Sequence, residues 1–256
     1  MFSRCRYAIA KRPWHGAEVD TMRLLDLPTP LPRAAVVGDV HGRSDLLAAL
    51  FDALEPDRPV FMLGDICDRG PDVPGCFELL LERDAYGVLG NHELWFLRWA
   101  SGRGFDDFAL MDVVGGRATL AAYGVEVGTH AQIEAQREKV PVRHREWVAA
   151  LPHVLGLTVG EQSWWLVHAG LPRLPVDTSA WAMEDWIARA GAELLWCPDR
   201  PSGRPPGDRP YVMGHRRVKE PLDAGHLVAL DTGSGTVPEG RLSALLLPER
   251  EMITVG

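Results

Sequence analysis

Proline punctuates the chain at Pro13, Pro28, Pro30 and Pro32, and the pattern turns regular only from Ala34. Residues 1–33 therefore read as an N-terminal extension or an edge element. "AAVVGD" at 34–39 is a short continuous apolar run, as expected of a buried strand. "RSDLLAALFDAL" then carries Leu46, Leu47, Leu50, Phe51 and Leu54 at helical spacing behind Ser44, a residue type suited to an N-cap. "PVFMLGD", "VPGCFELLLER" and "AYGVLGNHE" follow as strand, helix and strand. The run is β-α-β-α-β, the alternation of an α/β sheet.

Residues 94–150 read as mainly helical, with Trp95, Trp99, "RATLAAYG" and "HREWVAALP" as the clearest pieces. Beyond them "HVLGLTV" and "SWWLVHAG" form an expected hairpin about "GEQ", and "MEDWIARAG" a helix. "RPYVMGH", "HLVALDTG" and "RLSALLLP" read as further strands, and the Pro/Gly/Arg stretch at 197–210 as a surface loop. One domain over 34–256 with a helical insertion at about 94–150 accounts for this order.

Composition narrows the picture. A chain of 256 residues with 46% hydrophobic content buries a full core. A net charge of −8 argues against nucleic acid or an anionic membrane as partner, since both demand a basic face. No run approaches the roughly 18 apolar residues of a membrane span, and the first residues lack the apolar core of a signal peptide. Cys5, Cys67, Cys76 and Cys197 form no C-x-x-C pair, which points to a reducing, cytoplasmic compartment.

Five expected strands end in a glycine-flanked polar residue: "GDVHG", "GDICDRG", "GNHE", "HAG" and "GH". Strand ends on one edge of a sheet converge in space, where open α/β sheets build their sites. Asp39, His41, Asp65, Asn91, His168 and His215 then offer two carboxylates, three imidazoles and one carboxamide. That mixed oxygen and nitrogen set suits divalent manganese, iron or zinc. Six ligands are too many for one catalytic ion with an open position, and fit two ions sharing a carboxylate.

In this order the five blocks resemble the phosphoprotein phosphatase branch of the calcineurin-like metallophosphoesterases, over roughly Ala34 to Leu247. The resemblance implies an α/β sandwich of two mixed β-sheets flanked by helices, with two divalent ions, most readily Mn2+. It makes Asp39 and His41 ligands of one ion, Asp65 the bridge, and Asn91, His168 and His215 ligands of the other. It makes His92 the general acid held by Asp68, and Arg69 and Asn91 contacts of the substrate phosphate. Relatives carry a second phosphate-binding arginine after "LLW"; here Pro198 stands at that position, Arg200 is the closest substitute, and Arg204, Arg209, Arg216, Arg217 and Arg43 are rivals. Of the tryptophans, Trp95 and Trp99 are expected near the cleft.

Physical chemistry makes these roles workable. A water held by such an ion drops to a pKa of about 7 and can attack phosphorus in line, and an imidazole kept protonated by a carboxylate can protonate the leaving oxygen. "GDICDRG" and "GNHE" lean towards a serine/threonine protein phosphatase acting on a phosphorylated protein or peptide. The alternatives are a symmetrical dinucleoside polyphosphate hydrolase acting on a small phosphorylated nucleotide, and a noncatalytic metal-binding scaffold.

Overall fold

The computed structural model describes residues 22–172, 180–197 and 209–256. Its strands and helices, in chain order, are β1 (Leu24–Asp26), β2 (Ala34–Val37), α1 (Ser44–Asp52), β3 (Val60–Met62), α2 (Val73–Glu82), β4 (Tyr86–Gly87) and α3 (Asn91–Ala100). There follow α4 (Gly116–Ala122), α5 (His130–Glu134), α6 (Val142–Ala150), β5 (Val154–Val159), β6 (Gln162–Val167), α7 (Met183–Ala190) and α8 (Glu193–Trp196). The chain ends with β7 (Tyr211–Met213), β8 (Leu222–Asp223), β9 (Leu227–Ala229), β10 (Leu242–Leu247) and β11 (Glu251–Val255).

Among the described residues these strands form two mixed sheets, in the orders β11-β10-β2-β3-β4 and β1-β5-β6-β7-β9-β8. β2, β3 and β4 run parallel, as do β6, β7 and β9. The two-residue period decides which layer each side chain enters. In β2, Ala34 and Val36 join the core between the sheets, whereas Ala35 and Val37 pack under the helices on the outer face. In β6, Trp164 and Leu166 face the inter-sheet core, while Trp165 and Val167 pack with Trp186 of α7. Strands covered on both sides are apolar throughout, which is why "AAVV" shows no alternation.

Local chemistry places the helices. Asp72 caps α2, its carboxylate accepting the Gly75 N–H at 2.9 Å beside a proline in the first turn. α1 is capped differently from expectation: Arg43 occupies the cap position, and the Ser44 hydroxyl donates to Asp72 at 2.6 Å. Between β4 and β5 the chain runs through α3, α4, α5 and α6. The described part of the N-terminal segment supplies β1, an edge strand parallel to β5 with Leu24 opposite Val154. Arg209 packs there too, reaching Asp26 at 2.9 Å with its guanidinium 4.2 Å from the centre of the Trp165 ring. It is a structural residue of this edge and not a phosphate clamp. Among the described residues, no helix is long and apolar enough to cross a membrane.

Candidate active site

Each functional side chain follows the carboxyl end of a strand. Asp39 and His41 follow β2; Asp65, Asp68 and Arg69 follow β3; Asn91 and His92 open α3 after β4. His168 follows β6 and His215 follows β7, so the same edge of both sheets contributes. Hydrogen bonds stitch the two edges together. The His168 carbonyl accepts the Gly214 N–H at 2.9 Å, and the Asp39 carboxylate accepts the His215 N–H at 2.9 Å. Asp39 is thus turned to the opposite sheet and does not cap α1.

These turns are tight enough to force unusual backbone. His41, Asp65, Asp68, Arg69 and His215 all have positive φ, between 48° and 75°. Left-handed geometry in residues with a Cβ costs about 1–3 kcal/mol each and persists only where surrounding structure over-determines it. Close approach supplies that constraint: a Cβ on Gly70 would collide with the His41 carbonyl, and one on Gly64 would lie 2.6 Å from Gly90 Cα.

Two groups of donors converge on Asp65. His41, Asp65 and His92 form one, and Asp65, His168 and His215 the other, each with its donor atoms within 4.8 Å of one another. Asn91 Oδ1 sits between the second pair of rings, 2.8 Å from His168 Nε2 and 3.0 Å from His215 Nδ1. The first group contains His92 where the sequence pointed to Asp39.

The donor chemistry fits divalent ions. His41 Nδ1 lies 2.8 Å from the Cys67 carbonyl, and His168 Nδ1 lies 2.7 Å from the Leu63 carbonyl. A carbonyl only accepts, so Nδ1 carries the proton in both rings and Nε2 faces the centre, the arrangement that orients ligating histidines. Burial, then Asp231 and Asp65, push the Asp39 carboxyl well above the usual carboxylate range. Burial also raises Asp65, but His168 and His92 overcome it and hold that carboxyl well below its ordinary value. Burial draws His41 well down, and with His168 it brings His215 to about 4. Burial disfavours charge on His168 too, yet Asp65 lifts it to about 10. Crowded buried carboxylates beside imidazoles with an inward Nε2 match what a cation pair requires.

The proposed acid lies alongside. His92 Nδ1 is 2.6 Å from Asp68 Oδ2. Burial lowers the His92 pKa, but Asp65 and Asp68 outweigh it and set it above the ordinary imidazole value. Arg69 stands between the two histidines of this side of the site. Its guanidinium reaches His41 Nε2 at 2.5 Å, Thr236 Oγ1 at 2.9 Å and His92 Nε2 at 3.2 Å. Arg43 is paired with Asp45 at 2.7 Å. Arg200 and Arg204 lie outside the described residues.

Several supporting residues carry no assigned role in the sequence reading. Glu93 is fully buried, and its carboxylate accepts the N–H groups of Asp65, Ile66 and Cys67 at 2.7, 2.8 and 2.9 Å. Thr119 of α4 accepts the Asp68 N–H and donates to the Asp68 carboxylate at 2.6 Å. Asp231 follows β9, and the Ser234 hydroxyl donates to the Val40 carbonyl at 2.8 Å. Trp95 donates to Asp68 at 2.8 Å, as a cleft position requires, whereas Trp99 is fully buried with its indole N–H on the Ile133 carbonyl. Trp99 is core because one further helical turn carries it away from the site.

A two-sheet sandwich whose strand ends present this histidine, aspartate and asparagine set is the architecture of a metallophosphoesterase. Residues 32–233 match the profile of the calcineurin-like phosphoesterases; the chain belongs to that family and is a hydrolase of phosphoester bonds. It is 28% identical over 242 residues to the asymmetrical bis(5'-nucleosyl)-tetraphosphatase PrpE of Bacillus thuringiensis strain Al Hakam, covering 86% of this chain and 92% of that protein. The protein of the same name from Oceanobacillus iheyensis is 24% identical over 246 residues, covering 86% and 91%. In fold, the chain is similar to a solved structure described as a candidate diadenosine tetraphosphatase, with a TM-score of 0.63, 22% identity and coverage of 91% and 97%.

Proposed function

We propose that this chain hydrolyses dinucleoside polyphosphates, cleaving a phosphoanhydride bond with two divalent ions. The extent of the match to PrpE carries this reading: at 86% of the chain and 92% of the relative, it is not confined to the blocks that build the phosphoryl centre. The expectation of a phosphoserine or phosphothreonine substrate rested on "GDICDRG" and "GNHE". Those blocks supply Asp65, Asp68, Arg69, Asn91 and His92, whose chemistry is directed at the phosphoryl group itself. They do not distinguish an ester from an anhydride. A symmetrical cut was the other expectation; the relatives are named for an asymmetrical one, so diadenosine tetraphosphate is expected to give ATP and AMP.

In this reading Asp39 and His41 would hold one ion, Asn91, His168 and His215 the other, and Asp65 would be shared. Bound there, divalent ions supply Lewis acidity towards the attacking water and the phosphoryl oxygens. Arg69 presents a planar fork to two phosphoryl oxygens, and Thr236 fixes the angle of that fork. Arg200 is the proposed second clamp. His92 carries its transferable proton on Nε2 and delivers it to the departing oxygen, while Asp68 keeps the ring charged and oriented. Asn91 joins the ion site to the phosphate. The large imidazole share favours manganese over magnesium. Buried free thiols at Cys67 and Cys76 suit the cytoplasmic setting expected from cysteine usage.

Side-by-side turnover of diadenosine tetraphosphate and a phosphoserine peptide, with manganese added and products separated by chromatography, tests the reading. The tetraphosphate should be favoured in kcat/KM by at least about tenfold, with ATP and AMP as products. Faster turnover of the peptide overturns it.

A further inference from the structure

We propose that the segment 108–117 is a nucleoside-binding rim in which Met111 and Val113 seat a nucleobase and Arg117 contacts it. The inference rests on the dinucleoside polyphosphate reading and names where the base of that substrate is held.

The segment is tied to both flanks of the phosphoryl site. At one end the Phe108 ring meets Trp196 edge-on at 5.7 Å, and Trp196 lies 6.3 Å from the His215 ring. At the other end the Arg69 N–H donates to the Gly115 carbonyl at 3.1 Å, and its guanidinium reaches the Val113 carbonyl at 3.5 Å. Between these anchors large apolar side chains face outward: Phe108 is 39%, Met111 52% and Val113 69% exposed. Elsewhere among the described residues, large apolar side chains that exposed are scattered at Val127, Val142 and Leu222. A cluster of exposed apolar groups bordering a polar site marks a ligand seat.

The space agrees in size and chemistry. A cleft of about 560 Å³ lies against this segment, lined among the described residues by Arg69, Met111, Val113, Arg117 and Thr236. That volume lies in the range of small-molecule sites. Arg69 belongs both to the cleft and to the phosphoryl centre, so a ligand whose phosphate rests on Arg69 extends into the cleft. Its occupant needs apolar faces for Met111 and Val113 and a polar rim for Arg117 and the exposed Asp112. Arg117 donates through Nε to the Leu110 carbonyl at 3.2 Å, and no other partner of its guanidinium is seen among the described residues. A planar guanidinium is suited to stack on or hydrogen-bond a base. A phosphoserine side chain has no apolar group of this size next to its phosphate.

AMP, ribose 5-phosphate and inorganic phosphate are compared as inhibitors of p-nitrophenyl phosphate turnover by the manganese-supplied full chain. AMP should inhibit at least about tenfold more tightly than ribose 5-phosphate. In Arg117→Ala and in the double variant Met111→Ser, Val113→Ser, that advantage should fall below about threefold, with the inhibition constant of inorganic phosphate changed less than about twofold. Equal inhibition by AMP and ribose 5-phosphate, or an AMP advantage intact in both variants, overturns the rim. So does a loss in these variants that falls on a phosphopeptide and spares AMP. Photolabelling of the unaltered chain by 8-azidoadenosine 5'-monophosphate, mapped by mass spectrometry, should mark residues 108–117 and does not depend on how the variants fold; labelling confined to other segments overturns the rim. Because AMP binding needs no cleavage of a dinucleotide, the rim can fail while diadenosine tetraphosphate is still hydrolysed, and it can stand where that hydrolysis is absent.

Discussion

The Asp68 carboxylate holds the His92 ring from behind, 2.6 Å from Nδ1, while Trp95 and Thr119 fix that carboxylate at 2.8 and 2.6 Å. The pair therefore has one orientation, with Nε2 directed to the site. For a leaving group that needs a proton, such as the alkoxide of a phosphoserine peptide, His92→Ala should reduce kcat by about 10²- to 10⁴-fold. For p-nitrophenyl phosphate, whose phenolate departs readily, the loss should be much smaller, and Asp68→Asn should follow the same order more weakly. Steady-state kinetics with metal content measured in parallel checks this. Equal losses on both substrates would assign His92 to phosphate positioning, and loss of an ion would place it among the ligands.

Asp65 is the one donor common to both groups of the site. If Asp65 is shared by two ions as proposed, Asp65→Asn removes the charge that would balance them and leaves an amide that bridges poorly. Elemental analysis after gel filtration should find fewer than two ions per chain, with turnover down by at least about a hundredfold. Two ions with near-normal turnover would remove Asp65 from the bridge.

Glu93 gathers the N–H groups of three successive residues of the Asp65 turn onto one buried carboxylate. Glu93→Gln turns an amide NH2 towards donors that need an acceptor. The expected cost is on the order of 2–3 kcal/mol in denaturant unfolding, with weaker manganese binding by titration. An unchanged unfolding midpoint would show that the turn is held by other contacts.

His153 makes the β1 edge sensitive to acid. Its Nδ1 accepts the Arg23 N–H at 3.1 Å, and burial, with the Arg23 charge, lowers its pKa to about 4. The unfolded chain takes up this proton near pH 6.5 and the folded chain only near 4. The stabilisation is therefore complete above about pH 6.5, declines between about 6.5 and 4, and then levels off, a change on the order of 3 kcal/mol. From this group alone, unfolding free energies at pH 7.5 and 5 should differ by about 2 kcal/mol, and the native chain should lose clearly more stability over that interval than His153→Gln.

The strand-end chemistry was legible because each parallel strand announces its own end: an apolar run stops at a glycine-flanked polar residue, and parallel topology brings those ends together. Elements whose existence depends on a partner left weaker traces. β1 is three residues lodged among prolines and is a strand only because β5 lies beside it. β8 is two exposed residues with no apolar signal. The same limit applied to the site. Thr119 sits 51 residues from Asp68 in an ordinary helical stretch, so nothing local singles it out. By sequence Arg209 is one of several arginines that rival Arg200 as the second phosphate clamp, and only the fold shows it committed to Asp26 and Trp165.

The left-handed backbone at His41, Asp65, Asp68, Arg69 and His215 sets heat resistance and catalysis against each other. Glycine adopts that geometry without steric strain, so Arg69→Gly would relieve about 1 kcal/mol of local strain, partly offset by glycine's larger entropy loss on folding, while deleting the proposed phosphate fork. A library screened only for survival on heating would accumulate glycine at such positions and return robust, inert proteins. On the proposed reading, keeping side chains on these turns is a demand made by turnover, and selection for activity has to work continuously against the easier solution.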